Sequence, residues 1–219
     1  MLKARLRFSK TGRAVYISHL DLMHTMQRAF SRAGYELKYS EGFNPHPQIS
    51  IALPLSVGAA SVCELLDFTL TQAADTAELP AKLTGVLPEG IEILECYEPG
   101  RKVSELKYLS VGGVFEYDER DAGAMAEKLK DFFASGEIVI EKRTKRGVGE
   151  SDIKPAIKSI EFAAGDKCVN VSAVISAQEP TLNPELLADA LRQKAPELAP
   201  DFVRFTRLET YDADMKVYR

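Results

Sequence analysis

Only three histidines occur in this chain, and all lie between residues 19 and 46. Two fall in Ser18-His19-Leu20-Asp21-Leu22-Met23-His24, the third in Gly42-Phe43-Asn44-Pro45-His46-Pro47. His19 and His46 form a candidate acid–base pair. With a Lys or Arg to stabilise the phosphorane, such a pair cleaves RNA through the 2′-hydroxyl. A zinc site from His19, His24 and His46 fits poorly, because residues 19 and 24 point to different faces of a helix. Cys63, Cys96 and Cys168 lie far apart in apolar runs, without a CxxC pair, and read as buried reduced thiols. The signatures GxSxG, HExxH and GxGxxG are absent.

The remaining chemistry is that of binding. Ser18 and Asp21 stand in S-x-x-D spacing at a helix start, which makes them a capping box and places Asp21 at the positive helix end. On that helix Asp21, His24, Thr25, Arg28 and Arg32 share one polar face, and Arg28 and Arg32 are i,i+4 neighbours spaced to grip one anion. In 39–47 two prolines restrain the backbone around His46, and Gly42 supplies turn freedom. A rigid loop carrying Tyr39, Phe43, Asn44 and His46 suits a planar base, with aromatics to stack and Asn and His to hydrogen-bond its edge. A third candidate is Arg143-Thr144-Lys145-Arg146-Gly147-Val148-Gly149-Glu150-Ser151. It reads as a basic glycine loop resembling a phosphate cradle, without the Walker pattern. Asp152-Ile153-Lys154-Pro155 fixes its exit, and Asp152 and Lys154 join the candidate binding residues.

These groups need elements to hold them. LKARLRFS (2–9) alternates apolar and basic residues and predicts a half-buried strand with Arg5 and Arg7 on a basic outer face. Apolar spacing predicts a helix over 19–33, closed by Gly34. Strands are expected at 35–40, 62–71 and 90–97, with a Gly/Pro-rich stretch at 41–58 and a helix at 75–87. A linker over 98–106 leads to a second half. There strands are expected at 107–117 and 137–142, a hairpin at 157–164 and 167–176, and a last strand at 201–211. Helices are expected at 121–135 and 182–194, the latter capped by Thr181 with Pro184 in its first turn. Both halves follow a βαββαβ order, which predicts an α+β protein of two tandem ferredoxin-like units with antiparallel sheets. The expected domains are 1–99, carrying the SHLD and GFNPHP motifs, and 100–219, carrying the basic glycine loop.

Composition bounds the function. The 219 residues are 45% hydrophobic and 27% charged, as in an ordinary globular protein, which excludes disorder and coiled coil as global readings. The formal net charge is −4, yet residues 1–40 carry eight Lys/Arg against two acids, and residues 142–158 carry six against two. Two basic segments in an acidic chain could build one positive face. No apolar run reaches the length of a membrane helix, and the first ten residues lack the apolar core of a secretory signal. A cytoplasmic protein with no membrane partner is expected.

RFSKTGRAVYISHLDLMHTMQRAFSRAG, YSEGFNPHPQISIALPLSVG and CELLDF resemble the radical-SAM-linked protein family, a bacterial domain of unknown function. TKRGVGESDIKP matches its pattern of a basic glycine loop followed by D-I-[RK]-P, and TLNPELLADAL is similar to its more variable C-terminal part. Members are encoded beside, or fused to, a radical S-adenosylmethionine protein with a cobalamin-binding domain. The resemblance therefore implies that protein as partner, with the iron–sulfur cluster, S-adenosylmethionine and cobalamin on the partner and no cofactor on this chain. RNA-processing and ribosomal-protein genes among the neighbours imply an RNA context, tRNA or rRNA. The two-unit plan with a basic glycine loop is also similar to CRISPR repeat-processing endoribonucleases at the level of fold.

Three functions are weighed. The first is a non-catalytic module presenting RNA to the partner, with Arg5, Arg7, Arg28, Arg32, Lys145 and Arg146 on phosphates and Phe43, Asn44 and His46 on a base. The second is an adaptor docking on that partner without nucleic acid. The third is a metal-independent endoribonuclease using His19 and His46.

Overall fold

The structure is a computed structural model that describes residues 1–144 and 147–219, with Arg143 and Thr144 described by their backbone alone. The chain divides into two compact units, Met1–Glu105 together with Arg219, and Leu106–Tyr218. Both are mixed α+β with antiparallel sheets. No helix among the described residues is long and apolar enough to cross a membrane.

The first unit runs β1 (Leu2–Lys10), α1 (His19–Arg32), β2 (Ile49–Ala52), β3 (Ala60–Leu70), α2 (Leu79–Thr84) and β4 (Ile91–Tyr97). Its strands pair in the order β4-β1-β3-β2, every pair antiparallel. Alternation places Ala4, Leu6 and Phe8 of β1 with Leu66, Phe68 and Leu70 of β3 on one sheet face. That face packs against Leu22, Met26, Ala29 and Phe30 of α1 and Leu79 and Leu83 of α2. At 25 cal/mol per Å², each buried Leu or Phe contributes about 2 kcal/mol, so this apolar face holds α1 in place.

Three expectations are corrected here. Residues 35–40 form isolated bridges, Leu37 with Leu70 and Tyr39 with Pro47, and no strand. Past Tyr39 the pairing reaches only Ser40 with His46 before the chain reverses, too short a ladder for a strand. The strand lies instead at Ile49–Ala52, between Pro47 and Pro54, within the stretch read as loop. The helix expected at 75–87 shortens to Leu79–Thr84, with Pro80 in its first turn.

The second unit runs β5 (Tyr108–Glu116), α3 (Ala122–Ala134), β6 (Val139–Thr144), β7 (Gly147–Asp152), β8 (Ile157–Ala164), β9 (Cys168–Ser176), α4 (Glu185–Lys194) and β10 (Phe202–Tyr211). Its main sheet has the order β10-β5-β9-β8, again antiparallel throughout. Phe115, Phe133, Phe162 and Phe205 meet in its core. β6 and β7 form a separate two-stranded ladder. Most of the stretch read as a glycine loop is therefore strand: Gly149 sits opposite Lys142 and Val148 opposite Arg143. α4 begins at Glu185 after Pro184, and Asn183 Oδ1, not Thr181, accepts the Glu185 N–H at 3.3 Å.

Candidate functional site

The first unit builds its exposed chemistry on one well-fixed corner. β1 ends at Lys10, whose buried ammonium donates to the Val15 carbonyl at 3.1 Å. The same carbonyl accepts the Gly58 N–H at 2.9 Å, and Thr11 N–H donates to Gly90 at 2.8 Å. Burial pushes the Lys10 ammonium below its ordinary pKa, while the charge of Glu64 acts to raise it. These bonds fix the 3-10 turn Gly12–Tyr16 that leads into α1.

Ser18 caps α1 as its spacing predicts. Its Oγ accepts the Asp21 N–H at 3.2 Å and donates to the Asp21 carboxylate at 2.7 Å. Asp21 thus serves the helix end, and its carboxylate is exposed. His19 is half-buried, whereas His24, Arg28 and Arg32 are exposed. Arg32 donates to the Val86 carbonyl at 2.7 Å, so the Arg28/Arg32 pair is not a free two-pronged grip. Arg28 makes no hydrogen bond or ion pair among the described residues and faces solvent.

Residues 39–47 close into a loop. Ser40 N–H donates to the His46 carbonyl at 2.8 Å, and His46 N–H donates to Ser40 Oγ at 3.0 Å. Gln48 N–H then donates to Lys38 at 2.7 Å. The chain reverses between these rungs, where Gly42 takes a φ of 121° that a side chain resists. The closure leaves Tyr39, Phe43, Asn44 and His46 outside, and Phe43 is wholly exposed. At the loop's foot lies a cavity of about 300 Å³, lined by Pro47, Gln48, Ser50, Asp67, Thr69 and Lys3. The sequence does not announce this cavity. It exists because the register places Lys3 opposite Thr69 and Ser50 opposite Asp67.

The basic outer face of β1 is corrected. Arg5 is 1% exposed and donates Nε and Nη2 to Asp67 at 2.6 and 3.0 Å. Asp67 is its direct cross-strand partner in the β1–β3 register, so the guanidinium is committed there rather than to a phosphate. Arg7, largely covered, pairs with Glu95 at 3.3 Å. Asp152 and Lys154 bond neighbouring backbone: Asp152 Oδ1 accepts the N–H groups of Ile138 and Lys154 at 2.9 Å each, and the Lys154 ammonium donates to the Phe133 carbonyl. Lys145 and Arg146 lie outside the described residues, as does the side chain of Arg143.

Among the described residues no three His, Cys, Asp or Glu side chains gather to hold a metal, and no hydrogen bond joins His19, His24 and His46. Cys63 is buried, and burial pushes the Cys96 thiol up to about 11.

Residues 3–184 match the DUF2344 family, described as an uncharacterized protein conserved in bacteria. The chain belongs to that family. No curated protein matches it. The fold of this DUF2344 chain is similar to that of a chain in the crystal structure of a Cbf5-Nop10-Gar1 complex, at a TM-score of 0.50 and 10% identity. The match covers 94% of this chain and 48% of that one, so the chain spans about half the length of its structural relative. At that identity the likeness is one of fold alone. An unknown protein from Galdieria sulphuraria matches at a TM-score of 0.28 and 11% identity, covering 94% of this chain and 97% of that one. A CRISPR-associated protein from Thermus thermophilus matches at 0.21 and 14%, covering 94% and 99%.

Proposed function

We propose that this DUF2344 chain is a non-catalytic RNA-binding accessory protein of the cytoplasm. It works with a radical SAM, cobalamin-binding partner that supplies the cluster, S-adenosylmethionine and cobalamin. We also read each unit as ferredoxin-like, on the strength of the shared strand order in which the first strand lies between the last and the third. The observation that carries the RNA reading is Phe43, a wholly exposed aromatic on a loop closed by the Ser40–His46 rungs. An exposed aromatic on a fixed loop costs solvation and contributes nothing to packing, and base stacking gives it a use. Asn44 and His46 beside it supply edge hydrogen bonds, and the cavity at the loop's foot, with Pro47 and Ile49 beside Gln48 and Thr69 in its lining, is large enough to admit an unstacked base. Arg28 offers a phosphate contact. The partner rests on the family resemblance of the SHLD and GFNPHP motifs.

The test is fluorescence anisotropy of a labelled single-stranded RNA with the protein and its Phe43→Ala/Tyr39→Ala double variant. Stacking is worth about 1–3 kcal/mol per base, so the double variant is expected to bind roughly tenfold or more weakly with an unchanged melting temperature. Undiminished binding by that variant overturns the loop's role. Absence of RNA binding by the parent protein, with co-purification of the radical SAM protein, favours the adaptor reading.

A further inference from the structure

The cavity at the foot of the 39–47 loop opens on a polar array in the first unit's sheet. Lys3 lies directly opposite Thr69, and Arg5 opposite Asp67, in the β1–β3 register. Asp67 is in turn opposite Ser50 in the β2–β3 register. Thr69 N–H donates to the Gln48 carbonyl at 3.0 Å, which sets Gln48 across Thr69 from Lys3. Alternation turns these side chains to the face away from Ala4, Leu6 and Leu66. Two rows result, Lys3-Thr69-Gln48 and Arg5-Asp67-Ser50, about 10 Å wide and about 7 Å apart along the strands. Asp67 is held firmly. Its oxygens take the Arg5 bonds at 2.6 and 3.0 Å, and that guanidinium is buried, whereas the carboxylate is 33% exposed. An ionised carboxylate has about four acceptor positions, so Asp67 keeps capacity toward the cavity. The Lys3 ammonium, the Gln48 amide and the Ser50 hydroxyl are exposed and make no hydrogen bond or ion pair among the described residues.

Given RNA binding at the adjacent loop, on which this rests, we propose that the cavity selects a guanine base of single-stranded RNA. Guanine offers N1–H and N2–H side by side on one edge, with the O6 acceptor next to them. The fixed Asp67 carboxylate accepts the two N–H groups. Lys3 stands diagonal to Asp67, a spacing of about 7–8 Å that a long side chain bridges, and donates to O6. Adenine and cytosine turn a ring-nitrogen lone pair toward the carboxylate. Uracil flanks its one N–H with two carbonyl oxygens. Each of the three therefore meets repulsion where guanine meets an acceptor, and the array discriminates by that difference. Pro47 and Ile49 give the ring an apolar lining.

Fluorescence anisotropy of the full chain with labelled short oligouridines, whose central residue is G, A, C, U or inosine, tests the site at about 50 mM salt. The G strand is expected to bind roughly tenfold or more tightly than the A, C and U strands, as one or two charge-assisted bonds provide. Inosine lacks the N2 amine and falls between. Lys3→Ala removes an exposed side chain, so its melting temperature holds, and it is expected to cut the G-over-A ratio by roughly threefold or more. A lysine that only touches phosphate lowers all strands alike and leaves that ratio intact, which overturns its role. Asp67→Asn is expected to abolish the preference, and where that variant does not fold, inosine and Lys3→Ala decide. Equal affinity for every strand, still lost in the Phe43→Ala/Tyr39→Ala double variant, overturns guanine selection and leaves RNA binding at the loop standing. Affinity for no strand overturns both.

Discussion

Arg5 and Tyr117 are placed by burial rather than by their sequence neighbours. Arg5 alternates with apolar residues in β1, and from sequence its side is the wet one. The fold covers it and supplies Asp67 directly across the strand pair. Removing the guanidinium leaves that carboxylate without its partner. Breaking a fully buried pair costs roughly 3–5 kcal/mol, but Asp67 is a third exposed, so Arg5→Ala is expected to cost about 2 kcal/mol. Urea denaturation checks this, and a loss below about 0.5 kcal/mol would show the pair to be an ordinary surface one. Tyr117 is buried, and its hydroxyl donates to the Leu198 carbonyl at 2.9 Å. Burial pushes the phenol from 10.0 up to about 12, with nearby Asp201 adding to the rise and Arg120 opposing it. The folded chain thus keeps a proton that the unfolded chain releases, and stability falls as pH rises through that window. Tyr117→Phe is expected to flatten this alkaline decline while costing about 1 kcal/mol near neutral pH. Absorbance titration of the phenols should find one that ionises late in the native protein and disappears in the variant.

At the scale of elements, the α1 corner depends on a close approach that a side chain forbids. Gly90 has a φ of 91°, and a Cβ there would stand 2.4 Å from the Thr11 carbonyl oxygen and 2.9 Å from the Ala14 Cβ. Gly58 shares the positive φ but faces open space. Gly90→Ala is therefore expected to cost about 3 kcal/mol and Gly58→Ala about 1 kcal/mol, read as urea midpoints. Equal losses would place the penalty in backbone conformation alone. The same corner explains which elements were legible. α1 has both a polar cap and a helical apolar stripe, and its boundaries follow from Ser18 and Gly34. β2 carries four residues between prolines, too short for alternation to register. β7 reads as loop because Gly147 and Gly149 suppress strand propensity, and the ladder with β6 supplies what local sequence lacks.

Across the whole molecule the net charge of −4 argues against a broad basic surface. RNA binding by this chain is expected to rest on a handful of phosphate contacts, with stacking making up the difference. Between about 50 and 200 mM salt, affinity for total tRNA is expected to fall at least tenfold, measured by anisotropy. A salt-independent affinity would leave phosphates out of the contact.

The amino-acid order by itself determined the long amphipathic elements, the capped α1, the exposed aromatic loop around His46 and the α+β class. Each is set by local periodicity, by proline and glycine geometry, or by a side chain bonding its own backbone. Tertiary structure alone decided which cations remain available. Arg5 and Lys154 look alike with Arg28 in sequence, yet Asp67 and the Phe133 carbonyl take up the first two, while Arg28 is exposed. The cavity at the foot of the 39–47 loop is also tertiary. Its walls come from residues far apart in the chain, and only strand register brings those side chains to one opening.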